Sequence, residues 1–293
     1  MAYEPERIEI AGQIPTPIWR AREGGRRTAI IYLSGGGQTK RDVAPEDRET
    51  AHTAGVTLVS FDMHQHGDRQ PPDFKVQERA GLDEFLDFVE YTTHDLDTVI
   101  QHLRQDPAVD PDHIGIRAIS LSASAALAAI AQGLKVSACL SICGAGDFAT
   151  TASWRMRRDG LTAEEISEEL HRAAGRLGRL DPLHHPEMFP PCAVMMIHGV
   201  ADESVPIGGH RALFDALVPY YLDRPQDCVF LAHPGRHGIR SGLLVWGGRG
   251  CSNKWPLNRA GSDYPARAVS YTVVLFQVEK WKTFEMDSRP TSQ

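Results

Sequence analysis

IGIRAISLSASAALAA, Ile114 to Ala129, decides the fold. Its first six residues are a short apolar run of the kind that is buried on both faces of a parallel sheet, and its last eight are Ala-rich, as a helix packed tightly on a sheet requires. Ser120 falls at the junction. A nucleophilic serine needs that place: a sharp strand-to-helix turn exposes the hydroxyl and lets the following backbone N–H face a developing oxyanion. Small flanking residues are required, and Ala118 and Ser122 supply them as A-x-S-x-S where G-x-S-x-G is usual. Taken alone, Ser120 reads equally well as a helix cap.

Other apolar runs recur on either side of this stretch. RIEI and PIWRA read as paired edge strands, followed by TAIIYL (Thr28 to Leu33) and VTLVSF (Val56 to Phe61). After the Ser120 strand come VSACLSI (Val136 to Ile142), AVMMIH (Ala193 to His198) and CVFLA (Cys228 to Ala232). This predicts an α/β fold with a mostly parallel sheet of roughly eight strands and helices on both faces. Leu96, Val99, Ile100 and Leu103 keep the i, i+3, i+4, i+7 spacing of an amphipathic helix that the Pro107 region stops. From Phe148 to Phe189 the texture changes, and Thr162 to Glu165 forms a capping-box start, so residues 148–189 are expected to be a helical lid inserted in a single domain spanning 1–293. Ala268 to Phe284 suggests a closing helix, although VSYTVVLF also reads as a strand.

An acid and a base should follow the serine, each after its own strand, in the order Ser, Asp or Glu, His. GVADESVP follows AVMMIH and offers Asp202 at the carboxyl edge of the sheet, with Glu203 as a geometric alternative and a plain turn as the structural one. Beyond CVFLA, the segment HPGRHGI offers His237 as general base, with His233 as the alternative. The backbone N–H of Leu121 and one from Gly36, Gly37 or Gln38, in LSGGGQTKRD, are the expected oxyanion donors, because glycine lets the chain approach a substrate closely. That loop fails as a phosphate loop, since Thr39 rather than Gly precedes Lys40. DMHQHGDR, Asp62 to Arg69, invites a metal reading, but a hydrogen-bonded loop holding the glycine loop in place is the stronger one. Trp154, Met156 and Leu161 are the candidates to line an apolar acyl pocket.

Together the SGGGQTK loop, D-x-x-x-H-G-D-R, the A-x-S-x-S elbow, HGVADESVP and GRHG resemble the α/β-hydrolase superfamily over roughly residues 28–238. The Asp62 loop and HGVADESVP look most like dienelactone-hydrolase and prolyl-oligopeptidase-type esterases, which implies hydrolysis of a carboxylic ester or amide by Ser120, His237 and Asp202 with no cofactor and no metal. The elbow A-I-S-L-S-A is similar to that of luminescence-type acyl thioesterases, which implies thioester cleavage or acyl transfer by the same three residues as the alternative. Ala118 replaces the first elbow glycine, and Ser34 replaces the histidine that often precedes the oxyanion glycines. A hydrolase-fold protein that binds an acyl ligand without cleaving it is the competing hypothesis of another class.

The resemblance implies a small-molecule acyl substrate, and the bulk properties argue against other partners. A net charge of −7 with scattered basic residues argues against nucleic acid, and Arg155, Arg157 and Arg158 read as a solvated helix face. No stretch approaches the roughly 20 apolar residues of a membrane span. MAYEPERIEI is acidic where a signal peptide is basic and then apolar, so a cytoplasmic protein is expected. Of five cysteines, Cys139, Cys143 and Cys192 lie in apolar runs and read as reduced thiols without metal-ligand spacing. The oligomeric state stays open, a homodimer being one option.

Overall fold

The computed structural model describes residues 4–21, 27–72 and 81–238, together with the backbone of 272–275 and 282–285. Among the described residues the ten strands are β1 (Glu6–Ile10), β2 (Ile14–Trp19), β3 (Ala29–Leu33), β4 (Thr57–Val59), β5 (Ile114–Ile119), β6 (Ala138–Ile142), β7 (Ala193–Gly199), β8 (Cys228–His233), β9 (Thr272–Leu275) and β10 (Lys282–Glu285). Six α-helices are α1 (Pro45–Ala54), α2 (Leu82–Gln105), α3 (Leu121–Ala131), α4 (Phe148–Arg158), α5 (Ala163–Leu180) and α6 (Ile207–Leu217). Eight strands make one sheet in the order β1-β2-β4-β3-β5-β6-β7-β8. β1, β2 and β4 pair antiparallel, and every pairing from β4 to β8 is parallel.

The hydrophobic pattern explains the layering. β3, β6 and β7 are buried along their whole length, as central parallel strands covered on both faces must be. One apolar cluster joins Ile31, Leu33, Ile116, Val194 and Met196 to Leu96, Ile100, Leu127 and Ile130 of the helices on one face; a second gathers Ile30, Tyr32, Leu58, Leu140 and Ile197 on the other. In α3 every residue from Ser122 to Ala131 is buried; side chains of one carbon let the helix lie close on both the sheet and α2.

Two expectations change. The helix read from Leu96 to Leu103 begins at Leu82 and runs for 24 residues. In its first half the buried residues Leu82, Leu86, Phe88 and Val89 join α3 and α5 in a cluster of their own, so the apolar positions there wrap around the helix and blur the single-stripe period. The closing helix expected over 268–284 is not what the described residues form: Thr272–Leu275 and Lys282–Glu285 pair as antiparallel strands, in keeping with the β-branched run of Thr272, Val273 and Val274. The rest of that segment, and the tail after Met286, lie outside the described residues.

The segment between β6 and β7 holds α4, α5 and two short 3-10 turns, Pro182–His184 and Pro186–Met188. The Thr162 capping box forms, with Thr162 N–H donating to Glu165 Oε2 (2.8 Å) and Glu165 N–H to Thr162 Oγ1 (3.3 Å). Buried Asp181 closes the segment at its base: Oδ1 accepts from Leu183 N–H, and Oδ2 accepts from Phe148 N–H (2.8 Å) at the start of α4. Outside, Arg172, Arg176 and Arg179 of α5 pair with Asp83, Asp87 and Glu90 of α2. Exposed pairs of this kind contribute about 0–1 kcal/mol each, so the apolar face of Ile166, Ala173, Leu177 and Leu180 does most of the holding. Cys139, Cys143, Cys192 and Cys228 are buried and unbridged, and no helix of the described residues is long and apolar enough to cross a membrane.

Ile100 is fully buried between α2 and the sheet. Its replacement by alanine is expected to lower unfolding stability by about 2–5 kcal/mol, read as a fall in the urea midpoint at unchanged slope.

Candidate active site

The parallel register ends level across three strands. Ile119 pairs with Ile142, and Ile142 with Ile197; the next residues continue the ladder once more, Ser120 N–H donating to Ile142 O (2.7 Å) and Cys143 N–H to Ile197 O (2.8 Å). Ser120 then turns into α3 with φ +60 and ψ −122, a backbone region that costs a non-glycine residue about 1–3 kcal/mol. Ser122 occupies the small position of the elbow. Its hydroxyl donates to Ile119 O (2.9 Å) and accepts from Ile119 N–H (3.2 Å), which accounts for serine where glycine is usual.

Asp202 follows β7 and His237 follows β8, and both reach Ser120. His237 Nε2 lies 2.8 Å from Ser120 Oγ and its Nδ1 lies 2.7 Å from Asp202 Oδ2. A carboxylate only accepts, so Nδ1 carries the ring proton and Nε2 accepts from the serine hydroxyl. The Asp202 carboxylate is buried while the imidazole is partly exposed. Burial alone would raise the Asp202 pKa, but N–H donors from Val205, His237 and Ser204 outweigh it and hold the carboxyl below its ordinary range. Of the alternatives, exposed Glu203 faces Arg236 at 3.6 Å, and His233 accepts the Gly235 N–H on Nδ1 (3.1 Å).

The glycine loop lies against the elbow: a Cβ on Gly35 would stand 3.6 Å from Ser120 Cβ, and one on Gly36 would stand 3.5 Å from Leu121 Cδ2. Gln38 closes this turn from both sides, its N–H donating to Gly35 O (3.1 Å) and its Oε1 accepting from Gly35 N–H (2.9 Å). The amide of Gln38 is therefore engaged, and the N–H groups of Gly36, Gly37 and Leu121 have no protein acceptor among the described residues. Lys40 fastens the loop to the one after β4. Its N–H donates to Asp62 Oδ1 (2.8 Å), its Nζ pairs with Asp62 and lies 2.7 Å from Asp68 Oδ2, and Asp68 N–H donates to Asp62 Oδ2 (2.9 Å). The Asp62 carboxylate is thus taken up by this junction. Gly67, at φ +53, is needed because any Cβ there would overlap that carboxylate at 2.3 Å. His64 stacks on Tyr91, and His66 meets the edge of Phe88.

Trp154, Met156 and Leu161 are half-buried. Arg158 lies 4.9 Å over the Trp154 ring and donates to Glu203 O (3.0 Å), which ties α4 to the loop of Asp202. Arg158 is thereby more than part of a solvated face. Three groups carry no role in the sequence reading. Cys143, at φ +52, accepts Gly238 N–H on its Sγ (3.2 Å); its ligand atom and those of Asp202 and His237 lie within 4.8 Å of one another, the one such group among the described residues. Burial pushes the Cys143 thiol up, disfavouring the thiolate a metal would need. His198 and His210 sit beneath Asp202, and His198 is the first residue of HGVADESVP, the signal from which it could have been found.

Comparison with known proteins agrees with this architecture. No family model matches the chain. Its sequence is 25% identical over 116 residues to the thiohydrolase aneE of Aspergillus aculeatus, a match covering 39% of this chain and a third (33%) of that protein's length. TT1662 from Thermus thermophilus superimposes with a TM-score of 0.63 at 18% identity, over 81% of this chain and 92% of that one. The acylaminoacyl peptidase of Pyrococcus horikoshii gives 0.61 at 19%, over 82% and 39%, and acetyl xylan esterase 1 of Thermoanaerobacterium gives 0.58 at 17%, over 78% and 75%. The chain has the α/β-hydrolase fold. Within this α/β-hydrolase fold, Gly199 is the residue that lets the His237 loop pass β7.

A Cβ on Gly199 would meet Arg236 O at 2.3 Å and Gly235 O at 2.4 Å. Gly199→Ala is expected to push residues 235–236 outward and break the 2.8 Å contact of His237 with Ser120, read as slower labelling of Ser120 by a fluorophosphonate with the far-ultraviolet circular dichroism unchanged. A second expectation concerns pH. Burial lowers the pKa of His64, His66, His198 and His233, and lowers that of His210 well below the ordinary 6.5. The unfolded chain takes up protons on these rings first, so their penalty is absent above about 6.5 and grows as pH falls below it. Tm is expected to drop between pH 7 and pH 5.5, and less steeply in His210→Asn; a Tm that rises on acidification would contradict this.

Proposed function

We propose that the protein is a serine hydrolase that cleaves an acyl ester through an acyl-enzyme intermediate. The observation that carries this reading is the unbroken file from Asp202 Oδ2 through the His237 ring to Ser120 Oγ, at 2.7 and 2.8 Å, ending on a hydroxyl presented by a strained turn. Each contact has a chemical use. His237 takes the Ser120 proton as Oγ attacks the acyl carbonyl, and Asp202 stabilises the imidazolium that forms. The carbonyl oxygen becomes an oxyanion, held by the N–H of Leu121 and that of Gly36, the glycine whose backbone abuts Leu121. His237 then returns its proton to the leaving alcohol, and by activating water it releases the acid and restores Ser120.

No cofactor enters these steps. The segment 148–189 forms a wall of the acyl site in this reading, with Trp154, Met156 and Leu161 beside an apolar acyl portion and Arg158 holding that wall to the Asp202 loop. A thioester in place of the ester is the second reading, favoured by the match to a thiohydrolase; the same three residues serve it, because the leaving group is the sole difference.

Ser120→Ala is expected to lower turnover of p-nitrophenyl acetate by at least about a thousandfold and to abolish fluorophosphonate labelling, with Tm unchanged or higher. Acyl-coenzyme A substrates run in parallel separate the two readings by kcat/KM. Wild type that neither turns over these substrates nor takes the probe, beside a control esterase that does both, favours a protein that binds an acyl ligand without cleaving it.

A further inference from the structure

Below the carboxylate of Asp202 lies a file of buried polar groups that the proposed reaction does not use. His198, at the end of β7, and His210, in α6, are both 0% exposed, as is Ser141 of β6. The two rings meet at an angle of 69° with Nδ1 facing Nδ1 at 2.9 Å. Two nitrogens at that distance share one proton, so one ring donates and the other accepts.

The far sides of the rings decide which. His198 Nε2 lies 3.0 Å from Val205 O, and a carbonyl only accepts; Nε2 therefore carries the proton, and in a neutral ring Nδ1 is the lone pair. His210 must then carry its proton on Nδ1, which leaves Nε2 as an acceptor. The group it meets there is the hydroxyl of Ser141, at 2.9 Å, free to donate. Both rings are neutral at physiological pH. Burial drives the His210 pKa far down, with His198 adding to it; burial also lowers that of His198, against the opposing pull of Val205 O and Asp202, with His237 and His233 lowering it further. Besides these groups, the ring of Phe230 packs against His210.

Every proton in the file thus points toward Asp202: Ser141 to His210, His210 to His198, and His198 to the turn 202–205. The last N–H is aimed at Val205 O and also lies 3.2 Å from Asp202 Oδ2, the oxygen that accepts from His237. Val205 in turn donates its own N–H to Asp202 Oδ1 (2.9 Å). One N–H therefore fixes the turn on its carbonyl side while the same turn's amides fix the carboxylate. An apolar pair would fill this volume without that directionality, and it would leave Val205 O unpaired.

We propose that Ser141, His210 and His198 form a tautomer-locked file that positions the Asp202 carboxylate, making His198 and His210 positioning residues for the reaction. The rate consequence rests on the proposed hydrolase reading; the tautomers do not.

The test uses the full chain labelled with 15N-histidine. Long-range 1H–15N correlation spectra of the wild type at pH 8 are expected to show His210 as the Nδ1–H tautomer and His198 as the Nε2–H tautomer, both neutral. Two variants then break and restore the file. In His210→Leu the donor to His198 Nδ1 is lost and that ring is held from the Val205 side alone, so kcat on p-nitrophenyl acetate is expected to fall by about tenfold or more while KM stays within about threefold. In His210→Asn the amide nitrogen takes the place of Nδ1, and most of kcat is expected to return. The proposal is overturned if either wild-type ring is charged or holds the other tautomer. It is also overturned if a folded His210→Leu keeps the wild-type kcat, or if Asn restores no more than Leu does. Should the wild type cleave no acyl substrate, the hydrolase reading fails by itself, and the spectra still decide the file; should His210→Leu fail to fold, the wild-type spectra and the Asn variant decide it.

Discussion

The site depends on one backbone hydrogen bond, from Ser120 N–H to Ile142 O. It is the last rung between β5 and β6, and it holds the chain in strand geometry up to the residue at which that geometry must end. With the amide anchored on one side and the first turn of α3 on the other, Ser120 has no relaxed alternative to its positive φ. The strain stays because both flanking elements are buried except at the residues next to Ser120, and β6 repeats the device one strand over, where Cys143 also leaves the ladder at positive φ. Two neighbouring strands thus break off at the same level. The gap they open receives the loops of Asp202 and His237.

Asp202 is held by different physics. A buried carboxylate is tolerable only with donors around it, and Asp202 has amides on one oxygen and imidazole on the other. The donors come from its own turn and from the loop after β8, and the His198 ring at the end of β7 lies 3.2 Å away. The carboxylate therefore registers the relative placement of three elements at once. The glycine loop is positioned with the same economy: Lys40 sits a few residues beyond the glycines, and its pairing with Asp62 ties the carboxyl end of β3 to that of β4.

Much of this was legible from residues alone. The order of apolar runs specified the sheet because central parallel strands are continuous in hydrophobicity, and the elbow stood out because strand and Ala-rich helix abut without a spacer. Ser120, Asp202 and His237 could be named because each follows its own strand; their meeting is a matter of register, which no local pattern encodes. What stayed hidden has a physical pattern too. The first half of α2 is covered from two sides, so its period is blurred. His210 lies in a helix whose sequence, IGGHRALFDAL, offers no motif, and its contact with His198 is made only when α6 packs back on β7. By spacing alone Gln38 is one of three equivalent amides, because a side chain folding back onto its own turn leaves no mark in the sequence. The strands at 272–275 and 282–285 competed with a helical reading of the same apolar residues.

Asp181 gives the segment between β6 and β7 a further property. By capping the start of α4 from the end of α5, it knots the two ends of that segment together at the sheet, so the stretch between them is closed like a loop on a buckle. Length and composition can vary above the buckle without tugging on the strands that carry the serine and the acid. In the proposed reading, the fold thereby separates the wall that would meet a substrate from the groups that would react with it.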